Sequence, residues 1–590
     1  MINTNSIQIP PRAARILSTL REAGHEAYIV GGCVRDSLLG RVPGDWDITT
    51  SAKPEEVKAL FRRTVDTGIQ HGTVTVMLGS ESCEVTTFRV EGGYTDARHP
   101  DEVRFVSSLM EDLSRRDFTV NAMAYAPGAG LIDAFGGLKD LENKVIRAVG
   151  DPRERFTEDA LRMLRAVRFS AQLGFSIDPA TFSAIPPLAG RLALISRERI
   201  RDEINKLLLS DHPEYFEILS ECGISSVIMP RFDQMLATPQ HSKFHLFDVG
   251  HHTLAVMKAS PPTLLQRLCA LLHDTGKVDT RMTDGDGLDH FKGHPFLSER
   301  FARDFLKDFR YDNKTSDLVM RLIRSHDIRI HPSLPNVRRL ISAVGEDLFE
   351  DFLLFIQADD KGKSDLAHKE FDPRFQKLYE AYQTVRERQD PLSLRDLALT
   401  GSDLISAGMP AGPSMGRVMR DMLDDILREP SHNSREYLLV RYAGDNPPPP
   451  PPAPFLTIWE EIRKYEIIIL PAPSAPDEDG IRAQIALKEL VKESFPEKNV
   501  YLTGERSPAF ARIPGFRRDP VCEAVFPLAF FLAAGADSAA DLDEPFRQLA
   551  HAAFLPAKKG EACRAVRQFI KALSLPVNEK ILTALKESEA

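Results

Sequence analysis

The sequence predicts an α+β head, a long all-helical body and a separate small α/β segment at the C-terminal end. Three observations carry this. Helix and strand signals alternate over residues 1–150, whereas 151–445 reads almost entirely as helix. Pro447 to Pro452 is an unbroken proline run, continued by Ala453 and Pro454, which makes a stiff polyproline II spacer rather than part of a packed domain. Beyond it, 455–590 begins with a strand–helix–strand pattern. At 590 residues the chain is too long for one core, and about 150 residues per domain suggests roughly four.

Composition narrows the class. The formal net charge is -10, from 75 basic and 85 acidic residues, which argues against a generically basic nucleic-acid coat. A local basic stripe on an acidic protein remains compatible with RNA binding. None of the six cysteines forms a CxxC pair, so neither a disulfide framework nor a zinc ribbon is indicated. The N-terminal MINTNSIQIPPRAARIL lacks the basic-then-apolar order of a secretory signal. The most apolar run, Ala524 to Ala536, contains Pro527 and is too short to span a bilayer. The expectation is a cytoplasmic protein without a membrane partner.

In the head, residues 11–23 read as a helix and Ala27 to Val30 as a strand. Two glycines follow, then a short helix from Val34 and a strand over Trp46 to Thr49. Two β-rich runs complete it, Thr73 to Leu78 and Cys83 to Arg89. The densest chemistry lies in GGCVRDSLLGRVPGDWDITT, Gly31 to Thr50. Residues two apart on a strand share a face, so Asp45 and Asp47 project together while Trp46 and Ile48 turn to the core. Paired carboxylates repel unless a cation joins them, and hard oxygen ligands suit Mg²⁺ together with nucleotide phosphates. Gly31 and Gly32 let backbone approach phosphate oxygens near a helix start, and Arg35 one turn on can clamp a triphosphate.

This segment resembles the GG…DxD signature of nucleotidyltransferases with a polymerase-β-like palm. Its continuation resembles bacterial class II CCA-adding enzymes and their poly(A) polymerase relatives over about residues 10–442. EVTTFRVEGGYTDARHPDEVRF, Glu84 to Phe105, is similar to their third-carboxylate strand and flexible loop. LSRRDFTVNAMAY, Leu113 to Tyr125, resembles the ribose-contacting motif, and DPRERFTEDALRMLRAVRFSAQLGF, Asp151 to Phe175, the base-reading helix. The resemblance implies Asp45, Asp47 and Glu84 as catalytic carboxylates with Mg²⁺. It implies that Arg116 and Asp117 recognise ribose and triphosphate.

The base-reading segment has its own physical logic. Thr157 ahead of Glu158 and Asp159 reads as a helix start with acids in the first turn. Asp159, Arg162, Arg165 and Arg168 recur every three residues as a slowly drifting polar stripe beside Leu161, Leu164 and Val167. Cytosine and adenine share an amino donor beside a ring-nitrogen acceptor, which a carboxylate and a guanidinium can match. The resemblance gives that pairing to Asp159 and Arg162, with Arg165 and Arg168 supporting base or phosphates. It implies CTP, ATP and tRNA as partners. Enzymes adding only CC, only A or a poly(A) tail share these motifs, so those alternatives stay open.

Residues 241–385 carry FHLFDVGHHTL, LLHDTGK, GHPFLSER, IRSHD and FIQADDKGK. The order His252, His273, Asp274, His294, His326, Asp359 resembles the HD phosphohydrolase superfamily. It implies a metal site for Ni²⁺, Mn²⁺ or Mg²⁺ able to activate water against a phosphoester, or an RNA-binding scaffold that keeps the fold. The expected division is a head over 1–150, a helical neck over 151–240, an HD domain over 241–385, a helical tRNA-binding tail over 386–446 and a linker over 447–454. In the last segment, 455–590, EIIILPAPSAPDEDG resembles the start of a DHH phosphoesterase. Pro473 stands where that family places a histidine; Asp477 and Asp479 remain, and no later DHH triplet occurs. A degenerate remnant and an unrelated α/β domain are both compatible with this.

Overall fold

The computed structural model describes residues 7–69, 72–78, 81–92, 102–329, 331–409 and 411–442. It also describes 467–470, 478–494, 499–502, 529–534, 552–555 and 566 of the C-terminal segment. The chain divides into two compact units, the first being 1–237 with 261–267 and 306–311, the second the remainder. The loop motif over 93–101, the proline run, Pro473 and Asp477 lie outside the described residues.

The first unit opens with α1 (Pro11–Glu22), started by Pro10 and Pro11 and burying Ala13, Ile16, Leu17 and Leu20 along one face. Next come β1 (Ala27–Val30), α2 (Gly32–Leu38), β2 (Ile48–Thr50), α3 (Pro54–Leu60), β3 (Thr64–Gly68), β4 (Thr73–Leu78) and β5 (Glu81–Thr87). The hairpin β6 (Arg89–Gly92) and β7 (Glu102–Phe105) stands apart; α4 (Leu109–Ser114), β8 (Met123–Ala126), β9 (Gly130–Asp133) and α5 (Gly137–Glu142) follow. Seven strands form one sheet in the order β3-β4-β5-β2-β1-β8-β9. Every neighbouring pair is antiparallel except β2 with β5, where Ile48 faces Val85. Val30, Phe88, Leu109, Leu113 and Ala124 pack as one apolar cluster in this head.

The neck begins with α6 (Pro152–Glu158), capped by Asp151 through the Arg153 N–H at 2.9 Å. It continues through α7 (Leu161–Leu173), α8 (Pro179–Ser183) and α9 (Arg197–Leu208). Two expectations are corrected here. The strand predicted over Trp46 to Thr49 runs from Ile48 to Thr50, so both aspartates sit on its lead-in. The in-out alternation nevertheless holds, with Trp46 and Ile48 buried and Asp45 and Asp47 exposed. The helix start predicted at Thr157 is instead the end of α6. Asp159 is extended (φ -135°, ψ 106°) and breaks the chain between α6 and α7.

The second unit is helical over the HD region and tail, where Leu399, Leu404, Met422, Ile426 and Leu438 share a core. In the C-terminal segment, four strands lie in the order 499–502, 467–470, 529–534, 552–555, all parallel. The apolar run expected to be too short for a membrane supplies Ala529–Ala534 to this sheet. The helix Glu478–Ser494 buries Ala483, Ala486, Leu487, Leu490 and Val491. Among the described residues no helix is long and apolar enough to cross a membrane.

Candidate functional site

The carboxylate end of the head is built around the lead-in to β2. Parallel pairing of β2 with β5 puts Ile48 beside Val85, so Asp47 on the β2 lead-in and Glu84 of β5 each stand one position earlier. The Cys83 thiol donates to the Trp46 carbonyl at 2.7 Å and locks that register. The Asp47 carboxyl is raised above its ordinary value, first by desolvation, then by the charge of Glu84, with Asp45 adding and Arg116 opposing. These carboxylates are thus coupled electrostatically, the condition that a divalent cation relieves. Among the described residues only HD positions bring three ligand atoms within 4.8 Å of one another. The head carboxylates are not among those groups.

Gly31 adopts φ 82° and ψ -132°, and a Cβ there would meet Arg116 Nη1 at 3.2 Å. Only glycine fits, and its turn brings the α2 backbone start beside the Arg116 guanidinium. Arg35 is buried rather than projecting: Nε meets Asp36 Oδ1 at 2.8 Å and Nη1 meets Asn121 Oδ1 at 2.6 Å. Its guanidinium still lies by Gly32, whose ideal Cβ would be 3.7 Å from Nη2. Asp112, fully buried, accepts from Arg115 Nη2 at 2.7 Å and from Thr49 Oγ1 at 3.1 Å, and meets Arg116 Nη2 at 3.4 Å. It therefore ties the RRD motif to β2.

Asp117 is also buried. It accepts from the Phe118 N–H at 2.8 Å, from Asn121 Nδ2 at 3.1 Å and from Arg165 Nε at 2.9 Å. Burial would raise its carboxyl, but Arg165 and Asn121 hold it far below the usual range. Asp117 thus acts inside the protein as the partner of Arg165, whereas Arg116 lies nearest Gly31.

The arginine stripe is not a solvated face. Arg162 Nη1 meets Glu158 Oε2 at 2.6 Å, and Nη2 meets the Arg115 carbonyl at 2.9 Å. Arg168 is buried against Glu203 of α9 and stacks 3.7 Å over the Phe169 ring. Desolvation pushes its guanidinium down to about 10, with Glu203 opposing. Arg168 is thus packed inside the neck, paired with Glu203 rather than projecting with the rest of the stripe. Arg35 and Arg165 approach the same ring at 5.1 and 5.4 Å. Asp159 accepts from the Leu161 N–H at 3.0 Å and from Arg199 Nη2 at 2.9 Å. Asn121, Phe169, Arg199 and Glu203 escaped the sequence reading, because nothing in their local spacing marks them as partners of distant charges.

In the second unit the six HD positions converge, all buried. His252 Nε2 lies 3.1 Å from Asp359 and 3.5 Å from Asp274; His273 Nε2 lies 3.2 Å from Asp274. His294 Nε2 lies 3.3 Å from Asp274 and 3.0 Å from His326 Nε2. Each imidazole places Nδ1 against a backbone carbonyl: Gly362 for His252, Ala270 for His273, Phe291 for His294 and Ile323 for His326. That leaves four Nε2 atoms aimed inward as ligands. Two three-ligand groups result, His252–His273–Asp274 and Asp274–His294–His326, sharing Asp274. The donor set fits a divalent metal. Lys277 reaches Asp274 at 2.7 Å and Lys363 pairs with Asp359. His245, which the sequence reading did not single out, packs 5.3 Å from His252.

Comparison with known proteins matches this arrangement. The chain matches the model of the poly A polymerase head domain over 27–147 and that of a probable RNA- and SrmB-binding site of polymerase A over 174–236. It matches the HD domain over 245–400. A CCA-adding enzyme of Levilactobacillus brevis is 37% identical over 435 residues, 72% of this chain and 96% of that protein. The chain belongs to the CCA-adding enzyme family. A second family member, from Lacticaseibacillus paracasei, is 38% identical over 429 residues, 72% of this chain and 94% of its own length. The crystal structure of the Bacillus stearothermophilus CCA-adding enzyme in complex with CTP is 32% identical, with a TM-score of 0.55 over 73% of this chain and 98% of that one. These two relatives and this solved structure are thus accounted for almost end to end by under three quarters of this chain.

Proposed function

We propose that the protein adds C, C and A in turn to the 3′ end of tRNA, taking CTP and ATP without a nucleic-acid template. The observation that carries the reading is the coupled carboxylate set of Asp45, Asp47 and Glu84 in a chain of this family, beside a glycine turn lined by Arg116. In the reaction the terminal 3′-hydroxyl oxygen bonds to the α-phosphorus as the bond to pyrophosphate breaks. Asp45 and Asp47 would hold Mg²⁺, with Glu84 contributing. The chemistry Mg²⁺ supplies when bound is a more acidic hydroxyl and charge neutralisation on the leaving pyrophosphate. The α2 backbone start and Arg116 face the triphosphate, with Arg35 behind them.

Base choice is assigned to Asp159 and Arg162. Asp159 accepts from the exocyclic amino group that C and A share, and Arg162 donates to the adjacent ring nitrogen. Guanine and uracil put a carbonyl where the amino group should be, and each mismatched buried group costs on the order of 1–3 kcal/mol. Asp159→Ala combined with Arg162→Ala is expected to keep metal binding and lose C/A selectivity; continued exclusion of GTP and UTP by that double variant would refute the assignment. The activity itself is tested with tRNA transcripts lacking CCA, ending in CC, or complete, each offered one nucleotide. Addition of CTP, then ATP, with a stop at CCA is expected; unlimited ATP addition would mean poly(A) synthesis. With tRNA and these nucleotides as substrates, we place the protein in the cytoplasm.

The two ligand groups sharing Asp274 favour a second activity, metal-dependent hydrolysis of phosphoesters at the HD site. Turnover of a 2′,3′-cyclic nucleotide with Ni²⁺, Mn²⁺ or Mg²⁺, lost in Asp274→Ala, is expected. No turnover with any of the three would leave the domain as an RNA-binding scaffold.

A further inference from the structure

We infer that Arg199 is a positioning residue for base selection: from α9 it fixes the carboxylate of Asp159 in the orientation that accepts an amino group. The inference rests on the assignment of Asp159 as the base-reading carboxylate. Asp159 lies in the extended break between α6 and α7, so no helical backbone holds its side chain in place. Two contacts do. Oδ1 accepts from the Leu161 N–H at 3.0 Å, and Oδ2 accepts from Arg199 Nη2 at 2.9 Å. The first is local and tolerates rotation about the Cβ–Cγ bond. The second comes from another helix and fixes the carboxylate plane.

The α9 face is laid out for this. Arg199 and Glu203 are one turn apart and so lie on one side of the helix. Arg199 meets the acid of the α6–α7 break, and Glu203 meets Arg168 and reaches Arg165 at 3.9 Å. One helix face thus presents a cation and then an anion to their opposites. Arg199 Nη1 is buried without a hydrogen-bond partner, so part of its donor capacity is unspent beside Asp159. Each carboxylate oxygen has two lone pairs, so Asp159 still has acceptor capacity for a base amino group while both pins are in place. Held in orientation, the carboxylate cannot turn away from the carbonyl that uracil and guanine present in place of the amino group.

The test uses the full chain and tRNA substrates lacking CCA or ending in CC. Arg199→Met keeps the apolar stem and removes the donors; Arg199→Lys returns one charged donor; Asp159→Ala serves as reference. KM and kcat are measured for CTP and ATP, and misincorporation for UTP and GTP. In Arg199→Met, KM for CTP and ATP is expected to rise about tenfold with a smaller change in kcat. Preference for CTP over UTP is expected to fall about tenfold, and Arg199→Lys is expected to recover most of it. A merely structural role would lower kcat for all four nucleotides together and leave the preference unchanged, which would overturn the inference. Should Arg199→Met fail to fold, Arg199→Gln, which keeps a neutral donor, replaces it with the same two outcomes. If Asp159→Ala loosens selectivity and the Arg199 variants do not, the positioning role alone fails. If Asp159→Ala leaves selectivity intact, the base-reading assignment beneath it fails.

Discussion

Asp47 joins sequence and chemistry most directly. Its carboxyl is raised by desolvation and by the charges of Glu84 and Asp45, so it takes up a proton more readily than an ordinary carboxylate. A proton and a divalent cation compete for the same oxygens. As pH falls through the raised value of Asp47, the protonated form grows and metal affinity drops. At limiting Mg²⁺, the acid limb of nucleotide addition should therefore lie above the ordinary carboxylate range near 4. Saturating Mg²⁺ should move it to lower pH. An acid limb that ignores Mg²⁺ concentration would separate Asp47 from metal binding. Asp117 has the opposite sign. Its carboxyl is depressed by Arg165, so its contribution to stability is complete above the unfolded carboxyl value and is lost as pH falls through the folded one. Asp117→Asn leaves Arg165 short of its partner and is expected to lower unfolding stability by about 3 kcal/mol, read by urea denaturation at pH 7.

At the scale of elements, the turn from β1 into α2 is the most exacting. Gly31→Ala forces a Cβ onto a positive-φ residue and toward Arg116 Nη1 at 3.2 Å. The backbone strain alone costs about 1–3 kcal/mol. The expected result is a folded protein with a raised KM for both CTP and ATP; an unchanged KM would show that this turn does not face the nucleotide. Thiols of the same unit give an independent check on packing. Burial pushes Cys33 up to about 11 and Cys83 to about 12. Neither should react with iodoacetamide in native protein at pH 8, and both should after denaturation, as followed by peptide mass spectrometry.

For the whole molecule, the two CCA-adding relatives compared above are spanned over 96% and 94% of their lengths by 72% of this chain. A chain cut after residue 446 keeps the head, neck, HD region and tail with the tail's own core. It is expected to add CCA at a rate within about threefold of the full chain, since the three family models that match this chain all end by residue 400. Loss of activity on truncation would give the parallel α/β segment a part in RNA handling.

Some of this was legible in the residues themselves. The DxD pair and the glycine turn follow from local rules: strand alternation and turn chemistry. The six HD positions came from a family resemblance carried by their order in the chain, and the structure brings that set together. What only the tertiary structure decided is which charges meet. Spacing put Arg168 in a polar stripe, yet it is buried on Glu203, a partner 35 positions away. Asp117 looked free for ribose and is held by Arg165; Asp159 looked like a first-turn acid and stands in a break pinned by Arg199. Periodicity reports which side of an element a residue occupies. It carries no record of the opposite charge that another helix delivers, and in a buried site that partner sets the orientation and ionisation of each group.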